Sequence, residues 1–348
     1  MKKYLILVNT DSGGSITRLR ELISYPKHSA DIEFIIYSFE PILCDKSTNR
    51  IIPKFFGSNN LLWFSLISFL FALREKSIDT VVSWLVPNGL FVMLFARLTN
   101  LYRCVSIFRG QELIQIGARK GVFVSSIFRK MVRLQCVLSH KIQTQTLEGK
   151  EQLLDLNICP SKIVVLGNNA NSSRNIELLK QAKQVIVQPY FLYVGQISIN
   201  TKGIDRIINY IKMYEFYFRK NNLSVVIVGK GPDKEYLLIE LEKLCIADLV
   251  LFTGDVVNVF DYYCYCEAVL IPSRTDSFPN VIVESILAKK PFLVSDLSNL
   301  RSVVDRQNRV DFDNVHEIHD RLIHRDNIAM NYANLYFNWS EKFISSLL

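Results

Sequence analysis

Residues 268–296 read AVLIPSRTDSFPNVIVESILAKKPFLVSD. The apolar run Ala268 to Ile271, closed by Pro272 and Ser273, predicts a buried strand of a parallel sheet. A polar loop, Ser273 to Ser277, follows it. A helical pattern then begins at Phe278-Pro279, where Pro279 suits the first helical position because its missing N–H would have no partner there. Val281, Ile282, Ser285 and Ile286 keep an apolar or small face at helical spacing. Lys289 and Lys290 suit the negative end of the helix dipole, and Pro291 stops the helix before a further strand, Phe292 to Val294. The loop therefore sits at the carboxyl end of a strand and the amino end of a helix. Open α/β sheets bind ligands there, and the backbone N–H groups and dipole favour phosphate. Two carboxylates, Asp276 and Glu284, bracket this turn.

The same strand–helix alternation extends outward along the chain. Strands are predicted at Tyr4 to Val8, Glu33 to Ser38, Thr80 to Ser83, Arg103 to Phe108 and Lys141 to Thr144. In the second half they fall at Phe191 to Val194, Ser224 to Val228 and Leu249 to Phe252. Helical patterns separate them, among them Ile16 to Ser24, Asn60 to Lys76, Leu147 to Leu156 and Lys234 to Leu244. Alternation of this kind predicts α/β architecture with doubly wound parallel sheets. A chain of 348 residues exceeds one typical core, so two domains of roughly 150–180 residues are expected. We place them at residues 1–175 and 186–328, with Ser172 to Gln184 linking them and a closing helix at 329–348.

Composition narrows the partners. The net charge of +8 implies an anionic one: a nucleotide, a nucleic acid or an acidic membrane surface. No basic run or aromatic RNA-binding signature is present, so nucleic acid ranks last. Seven scattered cysteines predict reduced thiols in a cytoplasmic protein. Cys264 and Cys266 are too close together to form half of a zinc site, and read as core cysteines. Lys2-Lys3 followed by Leu5 to Val8 imitates a signal peptide, but the apolar part is too short, so a first strand is expected. Leu61 to Leu73 is too short to span a bilayer and long enough for a buried or interfacial helix, so no transmembrane segment is expected. From 119 to 135 a basic amphipathic helix is predicted, with Phe123, Ile127, Met131 and Leu134 on one face. Such a helix suits either the core or an anionic leaflet.

Asp276 and Glu284, within P-S-R-x-D-S-F-P-N-V-x-x-E-S, resemble the E-x7-E signature of the group 1 (family 4) retaining glycosyltransferases of GT-B fold. The resemblance implies two Rossmann-like domains facing a cleft, the first for the acceptor and the second for a nucleotide-sugar donor. It implies that Asp276 contacts sugar hydroxyls, that Glu284 holds the ribose, and that Ser277, Phe278, Pro279 and Asn280 line the donor. Gly195-Gln196 and Lys202-Gly203 are similar to the family's diphosphate clamp, with Gln196 in place of the usual Arg. Gly229-Lys230-Gly231-Pro232 is similar to its G-x-G-P turn, and Thr253-Gly254 to the place where the base is read. Gly13-Gly14, by itself an ordinary turn, stands where the family has a glycine loop facing phosphate. Arg109 stands where a His is usual. It is expected to hold an acceptor hydroxyl or phosphate, or else to pair with Glu112. Asn168 matches the family's P-N-G, and Phe337-Asn338-Trp339-Ser340 resembles the helix that crosses back to the first domain. Two further departures are Asp276, shorter than Glu, and Lys289, where Gly is usual. Asp311-Phe312-Asp313 imitates a metal-binding D-x-D but lies far from these motifs, so no metal and no cofactor are expected.

The implied activity is retaining transfer of a sugar from a UDP- or GDP-sugar to a saccharide acceptor. That acceptor would be a lipid-linked intermediate of a bacterial surface polysaccharide such as O-antigen, capsule or lipopolysaccharide. Catalysis is expected from Lys202, Asp276 and Glu284 in a cytoplasmic enzyme peripheral to the membrane through residues 119–135. The alternatives are a non-catalytic nucleotide-sugar-binding relative and a nucleotide-sugar epimerase.

Overall fold

Every strand pair among the described residues is parallel. The strands themselves give the reason. SVVIV at Ser224–Val228 and AVLI at Ala268–Ile271 are buried along their whole length, as strands covered on both faces must be. The computed structural model describes residues 2–8, 14–23, 32–39, 42, 47–51, 61–75, 77–84, 86–109, 111–168, 173–325, 342–343 and 345. Two units result: residues 1–167 with 338–348, and residues 168–337.

The first unit runs β1 (Lys2–Val8), α1 (Gly14–Ile23), β2 (Ile32–Ser38), β3 (Ser47–Ile51), α2 (Leu61–Ala72), β4 (Thr80–Ser83) and α3 (Leu90–Thr99). It continues with β5 (Arg103–Ile107), α4 (Gln111–Leu138), β6 (Lys141–Thr144), α5 (Leu147–Asp155) and β7 (Ile163–Val165). Its sheet has the order β3-β2-β1-β4-β5-β6-β7. The strand β3, STNRI, was not foreseen. It is polar, and it survives because it lies at an edge and pairs with β2 alone. Near the carboxyl terminus Phe343 is fully buried, its ring 6.0 Å from that of Trp84. The motif at 337–340 lies outside the described residues.

For α4, read as facing either the core or a leaflet, the structure shows a different core face. Val132, Gln135 and Cys136 turn inward, with Phe128 packed beside them, whereas Ile127 and Leu134 are 45% and 46% exposed. Ile127 and Leu134 of the apolar stripe therefore lie off the core face. Gln135 can be buried because its amide reaches the Gly89 N–H at 3.0 Å and the Ser106 hydroxyl at 2.9 Å.

The second unit runs α6 (Ser173–Lys180), β8 (Tyr190–Val194), α7 (Ile199–Lys202), α8 (Ile204–Met213), α9 (Glu215–Lys220), β9 (Ser224–Val228) and α10 (Lys234–Lys243). Then come β10 (Val250–Gly254), α11 (Phe260–Tyr263), β11 (Ala268–Ile271), α12 (Asn280–Leu287), β12 (Phe292–Ser295), β13 (Arg309–Val310) and α13 (Val315–Ile323). Residues 173–180, expected as linker, are helical. Leu178 and Leu179 pack on the second unit's core, and the Leu178 carbonyl accepts from Asn258 at 2.9 Å. The sheet order is β10-β9-β8-β11-β12-β13. Strand alternation splits the core into two layers. Phe191, Val225, Ile227 and Leu270 face α8, while Tyr190, Leu192, Val226 and Val269 face α11 and α12.

Candidate functional site

In the second unit's sheet the direction of winding reverses between β8 and β11. A crevice outside the carboxyl ends of the strands opens at such a switch point. The segment after β8 carries Gly195, Gln196, Lys202 and Gly203, and the segment after β11 carries Arg274 to Asn280. The Lys202 ammonium donates to Asp276 Oδ2 across the switch point, joining residues 74 apart in sequence. Their side chains are 30% and 14% exposed, so the pair sits at a rim and not in bulk solvent.

Local chemistry forces this approach. Lys202 ends the short helix α7. Gly203 then takes φ 63°, which reverses the chain into α8. A Cβ on Gly203 would lie closer than 3.0 Å to the Pro272 carbonyl oxygen, so only glycine lets the lysine turn touch the end of β11. The Thr201 carbonyl accepts from the N–H groups of Arg274 and Thr275 at 3.0 and 3.1 Å. Arg274 locks the same junction from outside, with two guanidinium bonds to Asp205 at 2.6 and 2.7 Å and one to the Ile199 carbonyl at 2.6 Å. A planar fork on a carboxylate fixes orientation as well as distance. Beside it, Arg206 donates to the Pro272 carbonyl at 3.2 Å and pairs with Asp313. Asp313 of the D-x-D imitation thus serves that arginine.

The loop leading to α12 is held by two buried asparagines. Asn299 Nδ2 donates to the carbonyls of Asp276 and Ser277, each at 2.6 Å. Asn168 Nδ2 donates to the Phe278 carbonyl at 2.6 Å and to Asn280 Oδ1 at 2.9 Å. Sequence reasoning valued Asn168 but missed Asn299, which stands in an unremarked polar stretch and carries no local signal. Phe278 is buried. Pro279 corrects another expectation: with ψ at 131° it is extended and caps α12, which begins at Asn280. The cap is main chain, the Ile282 N–H bonding to the Pro279 carbonyl at 3.2 Å with no side-chain cap bond from Pro279.

Glu284 lies on the second turn of α12, and its Oε2 accepts from the buried Tyr263 hydroxyl at 2.8 Å. Burial and this carboxylate hold the Tyr263 phenol well above its ordinary range. Lys289 has φ 56°, and the N–H of Lys290 bonds to the Ser285 carbonyl at 2.9 Å. This is a left-handed helix end, which explains why glycine is common there.

Gly229 and Thr253-Gly254 lie along the same rim after β9 and in β10. A Cβ on Gly229 would press into the Gly195 carbonyl, so the turns after β8 and β9 interlock. Tyr193 supports the Gly195-Gln196 turn by donating to the Gln196 carbonyl at 2.6 Å. Lys230 pairs with Asp255 at 2.8 Å, both largely exposed. Within the second unit the fold therefore gathers Gly195, Gln196, Lys202, Gly203, Gly229, Thr253, Gly254, Asp276 to Asn280 and Glu284 at one end of the sheet. Gly14 opens α1 and Arg109 follows β5, both in the first unit. Gly13 lies outside the described residues.

Comparison with known proteins accords with this geometry. Residues 188–324 match the family described as glycosyl transferases group 1. Over 283 residues the chain is 24% identical to N-acetylgalactosamine-N,N'-diacetylbacillosaminyl-diphospho-undecaprenol 4-alpha-N-acetylgalactosaminyltransferase of Campylobacter jejuni. That alignment covers 80% of this chain and 71% of that protein. In structure the chain is similar to the apo form of the lipopolysaccharide outer core galactosyltransferase WaaB, with a TM-score of 0.69, 18% identity and full coverage of both chains. It is also similar to Anabaena HepE in complex with UDP and glucose, with a TM-score of 0.69 and 14% identity over 94% of this chain and 90% of that one. The second unit carries the match to the group 1 glycosyl transferases, and the chain has the GT-B fold.

Proposed function

We propose that this glycosyltransferase moves a sugar from a nucleotide-diphosphate donor, UDP- or GDP-linked, to a lipid-linked saccharide of a bacterial surface polysaccharide, with retention at the transferred carbon. The observation that carries the proposal is the Lys202–Asp276 pair at the sheet's switch point, beside the amino end of α12. A donor laid across it would put phosphate oxygens on Lys202 Nζ and the first-turn amides of α12, and sugar hydroxyls on Asp276. As the bond to the diphosphate breaks, positive charge develops on the sugar and negative charge on the leaving group. Preorganised cations and N–H groups stabilise that charge most. Glu284 holds the ribose. Retention then proceeds by same-face displacement, with no protein nucleophile needed.

The Campylobacter relative, whose name specifies a diphospho-undecaprenol acceptor, supports the lipid-linked class. It accords with an enzyme working peripherally at the inner face of the cytoplasmic membrane through residues 119–135. The test is calorimetry with UDP and GDP, followed by mass-spectrometric transfer assays of donor panels against cell-envelope lipid. Lys202→Met should weaken diphosphate binding by about tenfold or more, the worth of a hydrogen bond to a charged group. Glu284→Ala should weaken binding of the nucleoside part, and unchanged affinity and turnover would remove it from the site. Donor conversion without acceptor would favour an epimerase. Binding without transfer would favour a non-catalytic relative.

A further inference from the structure

We propose that the first unit docks on an anionic lipid leaflet through the joint outer face of α2, α3 and α4, and not through α4 alone. The inference deepens the proposed function, resting on its choice of a lipid-linked acceptor.

The sheet order places the three helices together. The crossovers β3 to β4, β4 to β5 and β5 to β6 all step the same way along the sheet, whereas β1 to β2 steps back. Right-handed crossovers in one direction lie on one face. So α2, α3 and α4 form a layer, with α2 packed on α3 and α3 on α4. Phe64 and Ser68 of α2 turn inward, as do Val92, Met93 and Ala96 of α3.

The outer surface of these helices carries aliphatic stripes. Leu66, Leu70 and Leu73 succeed one another at helical spacing along α2 and its end. Leu94, Leu98 and Leu101 repeat that spacing along α3 and beyond it. Ile127, Leu134 and Val137 line the outer side of α4. Each of these side chains keeps between 39% and 77% of its surface exposed. Scattered exposed leucines are ordinary, but three such stripes on adjoining helices form a patch of the kind that marks an interaction surface.

Charge chooses the occupant. From Thr80 to Leu147 the chain has nine Lys and Arg and one acidic residue, Glu112. Arg97, Arg129, Lys130 and Arg133 are exposed on α3 and α4. An isologous dimer through this face would set the same cations against each other. An anionic leaflet instead offers headgroup phosphates to the cations and acyl chains to the leucines.

The test is flotation with phosphatidylcholine vesicles, with and without phosphatidylglycerol, using the full chain. Wild type should float with the anionic vesicles. Leu70→Glu with Leu98→Glu should cut the bound fraction at least tenfold. Leu70→Gln with Leu98→Gln, milder for folding, should fall between. Val257→Glu, at a 94% exposed position of the second unit, should float as wild type does. Equal flotation of the double variants and wild type would overturn the proposal and leave α4 as the sole contact. So would a wild type that floats with neither vesicle, or a lipid-free dimer that Leu98→Glu dissolves in sedimentation velocity. UDP and GDP calorimetry on the same variants separates the two readings. Lost flotation with intact nucleotide binding belongs to this face, whereas a floating wild type that binds neither nucleotide defeats the donor reading alone.

Discussion

Gly203→Ala is the sharpest probe of the switch-point junction. The substitution adds one methyl group at φ 63°, where an L residue is strained by about 1–2 kcal/mol. The added carbon also meets the Pro272 carbonyl oxygen closer than 3.0 Å. That atom is main chain at the end of a buried strand, so relief requires the Lys202 turn to lift away from β11. Such overpacking costs about 1–3 kcal/mol, and the expected total is about 3 kcal/mol. Gly254→Ala is the matched control. Its φ is 72°, but its nearest neighbour is the flexible end of Lys230 at 4.0 Å, so strain alone applies, about 1 kcal/mol.

Urea unfolding of the full chain separates the effects by unit. Trp63, Trp84 and Trp339 all belong to the first unit, so their fluorescence reports on it while far-ultraviolet circular dichroism follows both. Gly203→Ala should shift the second unit's transition down by about 1–3 M urea, given slopes of about 1–3 kcal/mol per molar. The tryptophan transition should stay where it is. UDP or GDP binding should weaken as well, because Lys202 is the residue that moves. If the two alanine variants were equally stable and bound nucleotide equally, the steric account of the junction would be refuted.

The second unit's side chains give two more expected outcomes. Tyr263→Phe removes the donor to Glu284, a bond to a charged group worth about 1.5–3 kcal/mol. The circular-dichroism transition should fall accordingly, and nucleotide affinity should drop less than in Glu284→Ala. His319 stacks on Tyr214 at 3.8 Å and has the Tyr210 hydroxyl at 3.2 Å from Nδ1. Burial, aided by His316 and opposed by Asp320, lowers its pKa from the ordinary 6.5. The unfolded chain therefore binds the proton more readily, so this contribution is complete above pH 6.5 and is lost as the pH falls below it. His319→Gln should flatten that acid slope in the second unit. The slope of the first unit, where burial lowers His140, should persist in the tryptophan signal.

The α/β class, the parallel strands and the turn at Ser273 to Ser277 were legible in the sequence. Strand runs such as AVLI and SVVIV are apolar on both alternations, and only doubly covered parallel sheets make such runs stable. Glu284 stood out because a packed helix does not need a carboxylate there, Asp276 because it lies in the turn at the strand's end, and the lysine turn only through its resemblance to the group 1 clamp. Other features were hidden for physical reasons. The polar strand β3 is held by an edge pairing that no local pattern encodes. The core face of α4 is chosen by neighbours that accept a buried Gln135, so hydropathy alone left the core stripe open. Asn299 owes its part to carbonyls more than twenty residues away. Above all, strand order is a property of the assembled sheet. Composition and spacing dictate that β8 and β11 exist and which turn each leads into. Only tertiary pairing makes them neighbours across the reversal, because parallel strands are joined by long crossovers that leave their order open. That adjacency brings Lys202 to Asp276.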